Sequence, residues 1–546
     1  MSTAEYPASG LRGRPGQRGR PGFAAARRSL RAEHWLLGAI ILLAAVIRVV
    51  VLDNQSLWAD EALTAYETRL SFTAMLHVVR TVEVTPPLYS VLVWGWAKLL
   101  GTGPETLRAL SAIAGIALVP LAYAATRELV SRRAGLVAAA LIAVNPFAIW
   151  YSQEARSYML LALLTGAAFL FFARSLRAPT RGNLAAWAVL GSLAVATHFF
   201  AGFAIAPQVI LLLWRHRTRA TAIAVAAVAL AQLAIAPLAL SDTSASHGTG
   251  WIARVPVSSR IATTAVEWVG GNLYRRTTLA EGLALGAGLI VIGGLLLCFG
   301  RRDGAPGRGV TAALVVTACM FVGPLILGAL GQDYFLSRNA IPALVPAATV
   351  IAAACTMPRL PRVGAVFAVL LFAGFAAATA EIQTHPFLQR ANWRLVARSL
   401  GPAAYPRAVL AANGTTAQAL KIYLPGVQWA QPVTRRVLIS EIDVVGATKR
   451  IALAGEHARA DRDAVGVFRL PGSASRHPRR GATIPRVIAP AGTWLLSRER
   501  VANWVVARFL LYRPRWVSIA SLARSAPRFF LRTPAALLVF TQPRRR

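Results

Sequence analysis

The chain has 546 residues, of which 56% are hydrophobic and 15% charged; soluble proteins carry about 25% charged residues, so an ordinary soluble fold is excluded and an integral membrane protein is expected. Basic residues outnumber acids by 59 to 22, yet nearly all are arginines in short clusters between apolar runs, which is the pattern of cytoplasmic loops and not of a nucleic-acid-binding surface. Cys298, Cys319 and Cys355 sit inside apolar runs without ligand spacing, so no disulfide framework or zinc site is implied and each reads as a small buried hydrophobe.

Residues 1–34 read as a basic, disordered cytoplasmic tail with no signal cleavage site. A bilayer core about 30 Å thick takes about 20 helical residues. On that criterion spans fall near 35–52, 109–127, 134–151, 157–173, 182–198, 199–214, 221–240, 281–299, 309–330, 340–356 and 362–380. The module 35–380 is thus a polytopic α-helical membrane protein of about 11–13 transmembrane helices, with residues 53–108 as its first outer loop. The apolar segment 87–100, about 21 Å long as a helix, is not expected to cross fully, and its Trp94, Trp96 and Lys98 suit an interface; an extra crossing within 87–214 is the alternative.

Arginine clusters at 132–133, 174–181, 215–219, 301–302 and 359–362 fix the orientation if all are cytoplasmic. The loops 151–156, 241–280 and 331–339, the first outer loop and everything after 381 then face outside. Residues 381–546 change character and read as an extracytoplasmic α/β domain. ANWRLVARSL opens a helix, AVLAA is a short buried strand and TTAQALKIYL is an amphipathic helix; 471–486 is a linker, and the Arg-interleaved tail 494–546 suits a membrane surface.

Acids are scarce, so those beside the spans stand out. Asp60 and Glu61 follow Trp58 in SLWADEALTAYE, just past the first span. The plain reading is a first helical turn favoured by the dipole; the chemical one is a general base and its partner. Glu83 precedes Thr85-Pro86-Pro87-Leu88-Tyr89, a proline helix entry. YSQEARSY lodges Glu154, Arg156 and Tyr158 between two closely joined spans, where charges are costly and mark function unless they merely pair at a helix end. His198 falls at an outer helix junction, and Arg338 at an outer helix start.

LWADEALTAYE, TPPLYSVLVWGWAKLLG, the run through NPFAIWYSQEARSYMLL and ATHFFAGF, in this order, resemble the C-type (GT-C) glycosyltransferases that use polyprenyl-phosphate sugars. That superfamily includes protein mannosyltransferases and the mannosyl- and arabinosyltransferases of mycobacterial envelopes. The resemblance covers roughly residues 35–400. Two departures stand out: Thr85 where relatives often carry His, and Asn392 where they often carry Asp.

The resemblance implies a GT-C-like module that moves a sugar from a polyprenyl phosphate to an envelope glycan, lipoglycan or protein on the outer face, with inversion. Mannose ranks first and arabinose second, on an Arg-rich, Lys-poor composition that suits an actinobacterium. Asp60 would be the base, with Glu61 beside it. Arg156, oriented by Glu154, and Arg338 would hold the phosphate, while Tyr158, His198 and Glu83 complete the substrate site. Asp60 is also the candidate ligand of a divalent metal, Mg or Mn; no other cofactor and no nucleic-acid partner is implied. The competing class is a carrier or flippase for lipid-linked sugars, which would hold its polar groups at mid-membrane and not at one rim.

Overall fold

The computed structural model describes residues 23–245, 252–300 and 304–401, followed by 407–411, 419–420, 422–424, 427–429, 436–447, 493–501, 504–518 and 537–541. The first helix, α1, spans Phe23–Val49, so it begins inside the stretch expected to be disordered. Its opening residues, AAARRSLRAE, are good helix formers continuous with the first span. The rest of the expected tail lies outside the described residues, as does the linker 471–486.

The loop between α1 and the next long helix holds three short helices, α2 (Ala59–Glu67), α3 (Phe72–Val78) and α4 (Leu88–Leu100). The bundle continues with α5 (Pro104–Leu129), α6 (Arg132–Val144), α7 (Pro146–Ser152), α8 (Tyr158–Arg177), α9 (Arg181–Thr197), α10 (Ala201–Arg215) and α11 (Arg219–Ala245). After a connection carrying α12 (Val257–Gly270), it closes with α13 (Leu279–Phe299), α14 (Gly304–Ala329), α15 (Leu344–Cys355) and α16 (Pro361–Thr384).

Among the described residues eight helices are long and apolar enough to cross a membrane, or nine if the bent pair α6–α7 is one span. The two other expected spans are α9 and α10, which are short but run alongside α8. At one end the His198 ring closing α9 lies 6.0 Å from Tyr158, which opens α8. At the other the ring of His216, closing α10, meets the Leu176 carbonyl near the end of α8 at 3.2 Å.

Helix α4 does not carry the chain across. Arg108, in the first turns of α5, donates to the carbonyls of Leu52, Gln55 and Ser56 just past α1, so both ends of the loop between α1 and α5 lie on one side. Trp94 and Trp96 each donate an indole N–H to a backbone carbonyl, of Leu70 and Thr106, and lash α4 to the loop. The centre of the bundle is the stretch Ser337–Cys355, 83% buried, whereas α13 is only 6% buried and turns residues such as Ile290 outward, as a lipid-facing helix does. Cys298, on that same helix, is exposed and not buried as expected.

Between α6 and α7 the chain bends by 58°. Pro146 forces this, because it lacks an N–H and disfavours a helical residue before it. Asn145 then caps α7 by accepting the Ala148 N–H at 2.8 Å. The carbonyls freed by the break must find donors in a membrane. Arg48, wholly buried on α1, provides them: its guanidinium donates to Ala143 O at 2.8 Å, Ile142 O at 3.0 Å and Ser152 Oγ at 3.0 Å. A Cβ on Gly115 would stand 2.1 Å from Ser152 Oγ, so the helices meet there only over a glycine.

Beyond α16 the chain forms α17 (Trp393–Leu400) and strands β1 (Arg407–Ala411), β2 (Val427–Trp429), β3 (Arg436–Ala447), β4 (Thr493–Val501), β5 (Trp504–Ser518) and β6 (Leu537–Thr541). They make one sheet in the order β2-β6-β1-β3-β5-β4, with β1 and β3 parallel and the other pairs antiparallel. The α/β character is as expected, and the start of the tail at 494 is the β4–β5 hairpin, which exposes Trp494, Leu495, Leu496, Tyr512 and Trp516. Alternating apolar and arginine residues have the strand period of two. Asn392 caps α17 by accepting the Leu395 N–H at 3.1 Å.

This domain sits on the loop between α1 and α5. Tyr423 accepts the Leu57 N–H at 2.8 Å, Arg394 Nη1 reaches Asp53 at 3.0 Å, and Gln55 accepts the Arg390 N–H at 3.0 Å.

Candidate active site

Asp60 and Glu61 lie in the first turn of α2 and, one residue apart on a helix, point about 100° from each other. Glu61 turns inward and is fully buried. Its Oε1 accepts Arg108 Nε at 2.7 Å and the Ala155 N–H at 2.9 Å; its Oε2 accepts Arg108 Nη2 at 2.7 Å and the Trp58 N–H at 3.2 Å. Burial pushes this carboxyl up, but Arg108 outweighs it and the group ends below its ordinary range. With the three carbonyls past α1, all five N–H groups of Arg108 are engaged. The pair is closed, and it ties α2, α5 and the 153–157 loop into one floor.

Asp60 faces the other way. Its carboxylate is 32% exposed and lies 3.5 Å from Arg338 Nη1, itself 26% exposed. The Arg338 guanidinium stands over the Tyr158 ring, 5.8 Å from its centre. Arg156 pairs with Glu83, and its Nη1 also reaches Asp60 O and Thr64 Oγ1, each at 3.4 Å. Thr64 is one turn on from Asp60, so Arg156 lies along the Asp60 face of α2.

Glu83 is presented by an unusual backbone. It ends a π-helical turn, Val79–Glu83, and is followed by Val84 in the left-handed region at φ 49°, a strained conformation for a β-branched residue. Thr85, which stands where relatives often carry His, donates its hydroxyl to Glu83 Oε2 at 3.2 Å.

Glu154 does not orient Arg156, contrary to expectation, and the two do not pair. Glu154 is bound to Arg390 Nη2 at 2.9 Å, and the Arg390 guanidinium lies 3.9 Å over the Trp150 ring. Burial raises the Glu154 carboxyl and Arg390 partly offsets this. Glu154 Oε1, Arg156 Nε, and Nε and Nη1 of Arg390 are buried without a hydrogen-bond partner, a concentration of unsatisfied polar atoms that folded proteins otherwise avoid.

His198 sits between Tyr158 and Phe200, and its Nδ1 accepts the Phe200 N–H at 3.3 Å. It lies at the junction of α9 and α10, beside the Tyr158 ring over which Arg338 stands.

Sequence reasoning missed Arg108, Arg390 and Glu67. The last is 1% exposed, and its carboxyl is pushed up to about 8 by burial and by Glu83, against Arg156. Among the described residues no group of three His, Cys, Asp or Glu side chains could hold a metal ion. Asp60 has an arginine beside it, so the donor set does not fit a divalent metal held by the protein alone.

In chemical terms, an accessible carboxylate stands beside the Arg338 guanidinium, with that of Arg156 along the same helix face, above a sealed floor. That arrangement can take a proton from a hydroxyl while neutralising a phosphate close by.

The family profile of dolichyl-phosphate-mannose-protein mannosyltransferases matches residues 84–240, the stretch that carries Glu154, Arg156, Tyr158 and His198. Comparison with curated protein sequences found no match. Among solved structures the chain is similar to ArnT from Cupriavidus metallidurans, with 13% identity over 88% of this chain and 98% of that one at a TM-score of 0.48. It is also similar to the protein O-mannosyltransferase Pmt1–Pmt2 complex of S. cerevisiae, with 19% identity over 45% and 38% of the two chains at a TM-score of 0.31. A third is the oligosaccharyltransferase AglB from Archaeoglobus fulgidus, with 13% identity over 68% and 58% at a TM-score of 0.41. Residues 84–240 thus resemble a protein mannosyltransferase family, within a chain whose described residues include eight helices, or nine with the bent pair α6–α7, long and apolar enough to cross a membrane.

Proposed function

We propose that the protein transfers a sugar, mannose before arabinose, from a polyprenyl phosphate to a hydroxyl of an envelope glycan, lipoglycan or protein on the extracytoplasmic face. The observation that carries this reading is the Asp60–Arg338 pair, accessible where its neighbour Glu61–Arg108 is sealed. Asp60 removes the acceptor's proton and the acceptor oxygen attacks the anomeric carbon. The bond from that carbon to the phosphate oxygen breaks, and its electron pair leaves with the phosphate. Arg338 and Arg156 neutralise that oxygen as it leaves. Asp60 holds the proton until it is lost to water. A single displacement of this kind inverts the sugar carbon.

Sidedness is supported by charge. Every group named comes from the outer loop or from helix ends opposite those bearing the arginine clusters at 132–133, 174–181 and 215–219. The sugar is tested by giving membranes that contain the protein radiolabelled decaprenyl-phosphate mannose or arabinose. Transfer from mannose is expected; transfer from arabinose alone would exchange the sugar, and transfer from neither would remove the reading.

A further inference from the structure

Glu267 lies on α12, in the connection between α11 and α13, and the motifs do not single it out. Its carboxylate accepts the hydroxyl of Ser337, the residue immediately before Arg338. The next residue on α12, Trp268, donates its indole N–H to the carbonyl of the same Ser337 at 3.4 Å. Trp268 is itself fixed, since its carbonyl accepts Asn145 Nδ2 at 3.0 Å and its ring stacks on Phe147 at 5.2 Å. The end of α12 thus grips Ser337 by side chain and backbone, and so sets where Arg338 begins.

The charges around Glu267 are few. Arg338 faces it from the turn Ser337–Ala343, Arg275 from the turn Gly271–Arg276 and Tyr151 from α7. On the other elements packed against α12, Glu381 of α16 is engaged by Arg276, and Glu281 of α13 caps its own helix at Thr278. Arg260, on α12 itself, is paired with Asp333 at 2.6 Å. Burial pushes the Glu267 carboxyl up to about 7, with Ser337, Arg338 and Arg275 opposing, so its charge changes in the neutral range.

We propose that Glu267 is a positioning residue for Arg338, and that its charge state sets how much of that guanidinium's charge the donor phosphate feels. This rests on the donor reading above. An ionised Glu267 gives Arg338 a second carboxylate besides Asp60, whereas a neutral one leaves the guanidinium to Asp60 and the phosphate. The donor is a phosphodiester with one acidic proton, lost far below neutral pH, so its own charge is constant over the range of interest.

The test measures KM for decaprenyl-phosphate mannose, or for the arabinose donor if that is the one used, between pH 6 and 8.5. The proteins are full-length wild type, Glu267→Gln and Glu267→Ala in lipid nanodiscs. Wild-type KM should rise about five-fold across the range, the lower end of ordinary coupling between sites, with little change in the pH profile of kcat. Glu267→Gln keeps an acceptor for Ser337 and should show a flat KM, while Glu267→Ala should have a raised KM throughout. A wild type that transfers sugar while Glu267→Gln follows its pH dependence overturns this inference alone, because a purely structural glutamate predicts that result. A wild type that transfers from no such donor overturns the donor reading and this inference with it. If Glu267→Ala does not fold, Glu267→Gln decides.

Discussion

Asp60 and Glu61 are adjacent in the chain and opposite in circumstance. Both acids have an arginine partner. Glu61 has Arg108 at 2.7 Å with neither side chain reaching solvent, while Asp60 has Arg338 at 3.5 Å with about a third of its surface open. The first pair is saturated with backbone hydrogen bonds and holds three elements together. The second is partly open to solvent, so a ligand can reach its charges. The comparison teaches that a double-acid motif need not supply two catalytic groups, since one acid builds the floor on which the other works.

The comparison breaks first at the floor. Glu61→Gln leaves the Arg108 charge buried and uncompensated, which costs about 3–5 kcal/mol. A large loss of thermal stability in nanodiscs is expected, with transfer per folded molecule largely kept; a stable variant without transfer would give Glu61 a chemical role. Next, Arg156→Lys keeps a charge but loses the fork that reaches Glu83, Asp60 O and Thr64. It should raise donor KM about ten-fold, the worth of roughly one charged hydrogen bond, and an unchanged KM would remove Arg156 from the phosphate site.

The smallest effect concerns Glu67. Its folded-state value near 8 lies above the ordinary 4.5, so the buried neutral form stabilises the fold fully below the lower value, and this stabilisation is lost as pH rises through the higher one. Glu67→Gln, which cannot ionise, should match wild type at pH 5 and exceed it in melting temperature by about a few degrees at pH 8.5. Parallel melting curves across that range would show that Glu67 does not titrate there.

The acids of the site were legible because the chain has only 22 Asp and Glu, so each one beside a span could be weighed. Their partners were not, because Arg108 and Arg390 are two among 59 basic residues. Arg108 lies in LRALSAIAG, inside an apolar helix start, and a charge in that position must find a partner; this signal was available. Arg390 carries none in QRANW, since it is buried only when the C-terminal domain docks. Eight of the expected spans, or nine with the bent pair α6–α7, were readable from hydropathy, whereas α9 and α10, read as spans too, are shorter than a span's usual length. The apolar–arginine alternation of the tail from 494 was noted, but its strand period of two was not used to place the β4–β5 hairpin.

The most direct test of the division between the two acids is single-turnover transfer by Asp60→Asn with donor already bound. The account predicts donor binding and melting temperature close to wild type, with the transfer step slowed about 10²–10⁴-fold by loss of the base. Transfer at the wild-type rate by a folded, donor-loaded Asp60→Asn enzyme would contradict it.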